Sequence, residues 1–210
     1  MTANAALQFA LFLVALVALA LPLGSYTARV YAGDARLAQR MLGPVERLLY
    51  RVAGVRAEEE MSWKKYAISV LVFNLLGALI LYLLQRVQAA LPLNPAALPG
   101  APPEVSFNTA ISFATNTNWQ SYGGETTMSH LTQMLGLAVQ NFVSAATGMA
   151  VLAAFLRGFT RRTHEGIGSF WVDMTRSTLY VLLPLPSVPT CVRRSPPPRL
   201  LYEPSRARLA

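Results

Sequence analysis

The residues that carry the most chemistry are Thr115, Asn116, Thr117, Asn118, Trp119 and Gln120. They follow Val105–Ala114, which can form about three turns of helix but is too short to cross a bilayer. Gly123 and Gly124 come next. A short apolar helix running into a polar turn of poor helix formers has the order of a pore loop. In such a loop a half-helix dips into the membrane, and an extended segment returns with its carbonyls facing an axis. Carbonyls so placed replace the hydration shell of a cation, and the negative C-terminal end of the half-helix faces the same ion. Irregular backbone at membrane depth is tolerated only where it lines a watery path or is buried in protein. The same residues also suit a plain extracellular loop, since Asn, Thr and Gly are common in turns. Spacing alone does not separate the two.

The elements that would position this turn are apolar. No Asp, Glu, Lys or Arg occurs from Met1 to Ala28, and Ala5–Leu23 is almost wholly apolar. Those residues make a helix of roughly 28 Å, one bilayer crossing. No basic residue precedes them and the apolar core is long, so a retained span is expected over a cleaved leader. Tyr66–Gln85 and His130–Leu156 are two further uncharged windows. A fourth, from Ser177, opens as STLYVLLPL and then meets Pro184, Pro186 and Pro189. Between the second and third spans, residues 91–103 hold five prolines, which forbid a regular helix. They form either an ordered crossing or a loose loop.

Charge sets the expected topology. Arg29, Arg36, Arg40, Arg47, Arg51, Arg56, Lys64 and Lys65 fall in residues 24–65, Arg86 alone in 86–130, and Arg157, Arg161, Arg162 and Arg176 in 157–176. By the positive-inside rule the first and third loops are cytoplasmic, and the N-terminus and the 86–130 segment lie outside. The organisation expected is a span at 1–23, a loop at 24–65 with a short amphipathic helix over Pro44–Val52 stopped by Gly54, a span–pore-loop–span repeat at 66–156, a loop at 157–176, the start of another span at 177–185, and a tail at 186–210. The fold class is all-α integral membrane.

The composition agrees: 53% of the 210 residues are hydrophobic and 13% charged, about half the charged share of a soluble domain. The net charge of +8 is explained by basic loops on one membrane face. No basic stripe interleaved with aromatics argues for nucleic acid. Cys191 alone excludes a cysteine metal cage, and His130 and His164 lack ligand-like spacing. No metal site beyond one for a transported ion is expected. Gly136, Gln140, Ser144 and Gly148 recur every four residues on one face of the third span. Small residues there allow close helix approach and polar ones bond across. Asn74 and Gly77 lie inside the second span, where intramembrane amides usually face a bundle interior. Trp63, Tyr66, Tyr82 and Trp171 suit either an interfacial belt or ordinary packing.

The stretch FNTAISFATNTNWQSYGGETTMSHLTQMLGLAVQNFVSAATGMAV strongly resembles the A chain of the potassium-transporting Kdp ATPases. So do PLG at 22–24, EMSWKKY at 60–66, LPLNP at 91–95, LPG at 98–100 and WVDMTRSTLYVLLPL at 171–185. The resemblance covers roughly residues 1–185. It implies a chain built from span–pore-loop–span repeats that supplies the selective potassium path of a bacterial uptake pump in the plasma (inner) membrane. It places potassium on backbone oxygens around Thr115, Asn116, Thr117 and Asn118, with Gln120 at the outer rim. It also implies partners: a P-type ATPase B chain that handles ATP and magnesium, a small C chain and a single-span F chain. This chain has no P-loop and no DKTG-type motif, so no cofactor and no ATP hydrolysis are expected of it.

The family has four repeats and this chain holds one. After Leu185 the sequence reads PSVPTCVRRSPPPRLLYEPSRARLA, with six prolines and five arginines in 25 residues. The sharper expectation is a frameshift or misjudged gene end near codon 186; the other is a real tail that stays cytoplasmic. Two functions follow. One is an ion-translocating subunit. The other is a truncated membrane fragment that does not conduct.

Overall fold

The computed structural model describes residues 3–117, 119–161 and 166–185, and the tail lies outside them. Among the described residues the chain is helical, with one antiparallel bridge joining Ser62 to Gly166. Three helices are long and apolar enough to cross a membrane, over Asn4–Ala32, Trp63–Ala90 and Thr132–Thr160.

α1 runs from Ala3 to Ala32, beyond the expected stop at Leu23. Nothing in GSYTARVYA breaks a helix until Gly33, which turns left-handed at φ +81°. There the Asp34 N–H returns to the Arg29 carbonyl at 2.8 Å and the Gly33 N–H to Val30 at 3.1 Å, the double bond of a Schellman cap. α2 spans Arg36–Ala53, so the helix placed at Pro44–Val52 is twice as long and carries Pro44 inside it. Pro44 does not start this helix; Arg36–Leu42 already supply good helix formers before it. Gly54, at φ +64°, ends α2 as expected. The 24–65 segment is therefore mostly helix rather than loop.

α3, Trp63–Val87, begins at Ser62, whose Oγ accepts the Lys65 N–H at 3.5 Å. A short 3₁₀ turn, Gln88–Ala90, leads into the proline-rich segment. That segment is ordered. Asn94 accepts the Leu98 N–H at 2.9 Å and donates to the Leu98 carbonyl at 2.8 Å. Gly100 lies so close to the Arg86 carbonyl that a Cβ there would collide with backbone.

α4 is Pro103–Ala114. Pro103 sits at its first position and Glu104 in its first turn, the residues a helix N-terminus favours. α5, Gly124–Thr127, is a single turn. The third span opens as a π-helical stretch, Thr132–Ala138, and continues as α6, Val139–Thr160. α7, Phe170–Arg176, passes without a break into a second π-helical stretch, Ser177–Leu182. Helix therefore takes up both ends of the expected loop at 157–176, through Thr160 and from Phe170.

Three apolar clusters hold these helices. Ala78 and Leu81 of α3 meet Ala110, Phe113 and Ala114 of α4 and Leu137 of the third span. Small alanines let the short helix lie close against its neighbours. Tyr66, Ala150, Ala154 and Phe170 form the second cluster, with Phe73 edge-on to Phe170 at 5.7 Å. Val30, Ala35 and Leu179–Val181 form the third, joining α1 and α2 to the segment after α7. Tyr66 and Trp171 belong to packing and not to an exposed belt: Tyr66 is buried, and Trp171 stacks edge-on against Phe73 and Phe170.

Candidate functional site

The site is built at the C-terminal end of α4. The Thr117 N–H returns to the Ser112 carbonyl at 2.8 Å and the Asn116 N–H to Phe113 at 3.3 Å. This is the same Schellman cap that ends α1, but its left-handed residue is Asn116, at φ +58°, and not a glycine. Asn tolerates this region better than other side chains. The cap stops the helix and turns the chain outward within two residues. Thr115 Oγ1 bonds the Ile111 carbonyl at 2.9 Å and meets Thr117 Oγ1 at 2.9 Å. The carbonyls of Ile111, Ser112 and Phe113 are thereby occupied. Among the described residues, no group donates to the carbonyls of Thr115, Asn116 or Thr117.

Electrostatics favour a cation beside this turn. The C-terminal end of α4 carries the negative pole of the helix dipole, and its last turn holds no basic residue. Thr115, Asn116 and Thr117 are exposed, whereas Ser112, Phe113 and Ala114 beneath them are buried. A groove of about 660 Å³ adjoins the turn, lined by Asn74 and Ala78 of α3, Ala114 and Asn116, and Ser144 and Gly148 of α6. Asn118 lies outside the described residues. Gln120 is exposed near the turn and donates to the Tyr122 hydroxyl at 3.4 Å. Burial pushes that hydroxyl above its ordinary range.

The four-residue stripe of the third span divides into parts. Gly136 faces Leu81 and Leu84, and Gln140 packs over Gly77, where a Cβ would stand 2.7 Å from Gln140 Oε1. Gly77 and Gln140 are thus partners across the α3–α6 contact. Ser144 reaches the turn itself, donating to Asn116 Oδ1 at 3.3 Å. A Cβ added at Gly148 would meet nothing within 4 Å, and the residue borders the groove. Among the described residues, only Ser144 joins the stripe to the turn by a hydrogen bond. Gln140 Nε2 and Gln85 Oε1 are buried without a hydrogen-bond partner among the described residues.

Three residues outside the expected set position the site. Ser112 accepts the Trp119 N–H on its Oγ at 2.6 Å. Gln88, fully buried, donates to the Pro99 and Thr127 carbonyls, both at 2.7 Å, and accepts from the Ser129 N–H at 3.0 Å and Thr132 Oγ1 at 3.1 Å. Gln85 bonds the Ser106 carbonyl at 3.3 Å, fixing α4 to α3. A glutamine pair near the end of an apolar span was the available signal for the last two. Ser112 had none, lying inside the apolar run AISFA.

At the opposite end of the bundle two carboxylates are held. Asp173, 1% exposed, takes both guanidinium nitrogens of Arg157 at 2.6 and 2.8 Å and the Tyr66 hydroxyl at 3.1 Å. Glu46 of α2 takes the Tyr50 hydroxyl at 2.7 Å, Arg176 Nε at 3.2 Å and the Tyr180 hydroxyl. Burial pushes the Glu46 carboxyl up, but those hydrogen bonds and the Arg176 charge outweigh it and hold it below its ordinary 4.5. These are structural ties between α2, α6 and α7. Among the described residues no group of three His, Cys, Asp or Glu side chains is placed to hold a metal ion.

Known proteins share this sequence closely. The family model described as the potassium-transporting ATPase A subunit, KdpA, matches residues 10–193, past the limit at 185 seen from motifs alone. A potassium-transporting ATPase potassium-binding subunit of Sorangium cellulosum is 64% identical over 185 residues, which are 88% of this chain and 32% of that protein. Subunits of the same name from Methylococcus capsulatus and Herpetosiphon aurantiacus are 62% and 59% identical over 185 residues, covering 31% and 32% of their lengths. The chain spans about a third of the length of these curated relatives. A match over most of the chain, with a short helix ending in an outward-facing turn, leaves one assignment: the chain belongs to the KdpA family of potassium-transporting ATPase A subunits.

Proposed function

We propose that this chain carries a potassium-binding and translocating segment of a high-affinity, ATP-driven potassium uptake complex. One observation supports it above the others: α4 ends in a cap that leaves the Thr115, Asn116 and Thr117 carbonyls without a donor among the described residues. In this reading those carbonyls, with Asn118, replace part of the water shell of potassium, and Gln120 forms the rim. The ion enters from outside and passes inward using work done on another chain. The resemblance assigns ATP, magnesium and hydrolysis to a B chain, with a small C chain and a single-span F chain completing the complex. The setting is the bacterial inner membrane, with lipid around the spans and the N-terminus outside.

A second reading is a fragment that docks without conducting. It is favoured by the exposure of the turn. A carbonyl filter needs contributions from around an axis, and one turn supplies only one side. Flux assays on the purified chain in liposomes separate the readings. Selective potassium flux supports conduction by this chain; its absence, with flux recovered in a full-length subunit carrying the same turn, supports the fragment. In that full-length complex Gln120→Arg is expected to weaken potassium affinity by about tenfold, since like charge at the mouth repels the ion. Unchanged affinity would refute the filter assignment.

A further inference from the structure

Ser112 holds the turn at two points. Its carbonyl accepts the Thr117 N–H at 2.8 Å and its Oγ accepts the Trp119 N–H at 2.6 Å. The first bond is part of the helix cap, and any residue at 112 would make it. The second requires a side-chain oxygen at that place. The two donors sit two residues apart, so together they fix the direction of the chain as it leaves α4. Ser112 is 7% exposed, so its hydroxyl is held in a packed site and does not exchange freely with water. The other tie to the turn, Ser144 to Asn116 Oδ1, is longer at 3.3 Å and holds a side chain rather than the backbone.

We propose that Ser112 is a positioning residue for ion selection: by holding the Trp119 N–H, its hydroxyl sets the direction in which the Thr115–Thr117 carbonyls point. The inference rests on the filter reading given above. Ser112 lies buried beneath the exposed turn, with its carbonyl accepting the Thr117 N–H and its Oγ the Trp119 N–H. It acts through geometry. Discrimination between ions of similar charge depends on the number and placement of carbonyl dipoles, so a turn freed at Trp119 loses discrimination before it loses binding altogether.

The test uses the assembled transport complex with a full-length A subunit carrying this turn. Ser112→Ala removes the acceptor, Ser112→Cys keeps the size with a weaker one, and Ser112→Thr restores a hydroxyl. Ion-stimulated ATP hydrolysis is measured against potassium and against rubidium. The expected result is a potassium KM about tenfold higher in Ser112→Ala, the effect of one lost hydrogen bond, with kcat little changed and the preference for potassium over rubidium narrowed. Cys should fall between, and Thr should return toward the parent. A purely structural role would lower the amount of assembled complex and leave both KM and the ion preference in place. Should Ala fail to assemble, the Cys and Thr variants still decide the matter through the same ratio. Unchanged KM and preference in the Ser112 variants, beside a raised KM in Gln120→Arg, would overturn the positioning role and keep the filter. If Gln120→Arg and Ser112→Ala both leave KM unmoved, the filter reading fails and the role of Ser112 with it.

Discussion

The two ends of the α3–α6 pair treat their polar groups in opposite ways. Near Tyr66, both oxygens of Asp173 are bonded and Arg157 is spent on Asp173 and the Ile167 carbonyl. At the end of α4, the carbonyls of three exposed residues, Thr115, Asn116 and Thr117, have no donor among the described residues. Polar groups away from water are costly when unpaired, so the first end spends its polar chemistry on structure. The second end holds oxygens in reserve, under a fixed backbone, beside the negative pole of a helix. The contrast separates a tie from a site more sharply than residue type does, since charged side chains build the tie and neutral oxygens the site.

The largest expected effect breaks the saturated end. Asp173→Ala leaves Arg157 beside an apolar pocket without its partner, at a cost of roughly 3–5 kcal/mol. Thermal unfolding in detergent should show a large fall in melting temperature, with α7 detaching from α6. A shift under a degree would mean that water already screens the pair, and the contrast between the ends would weaken.

A middle-sized effect sharpens the other side. Asn116 adopts a left-handed conformation that costs most side chains about 1–2 kcal/mol. Asn116→Ala should therefore destabilise by about that amount, while Asn116→Gly should be nearly neutral. Equal melting temperatures for the two variants would show that Asn116 is held by its Ser144 contact and not by its backbone.

The smallest effect concerns Glu46. Its folded pKa lies below the ordinary 4.5, so its contribution is fully present above the unfolded value and is lost as pH falls through the folded one. That contribution is about 1 kcal/mol, the net worth of an ordinary hydrogen bond. Acidification should lower the melting temperature of the parent more than that of Glu46→Gln, in which no carboxylate titrates. Parallel acid profiles would remove Glu46 from the list of ties.

The spans were legible because a bilayer demands long uncharged windows, and few other constraints produce them. The half-helix was legible for a similar reason: Val105–Ala114 is apolar, short, and followed by residues that leave helices readily. The length of α2 was not, because its first half carries no cap signal and Pro44 reads as a start. The Arg157–Asp173 and Glu46–Arg176 pairs were hidden too. Their members stand 16 and 130 residues apart, and only packing chooses them from many possible charges. The stripe on the third span was half legible. Periodicity identified one face, but α3 packs against the Gly136 and Gln140 part while Gly148 is left open on the groove.

Gln88 joins three stretches of chain that are distant in sequence: the end of α3, Pro99 in the proline-rich segment, and Thr127–Thr132 ahead of the third span. Its amide donates to the Pro99 and Thr127 carbonyls and accepts from the Ser129 N–H and the Thr132 hydroxyl. The end of α3, the start of the third span and the proline-rich segment between them are therefore coupled mechanically. Displacing any one of them breaks bonds to the others, so the three stretches shift together or not at all.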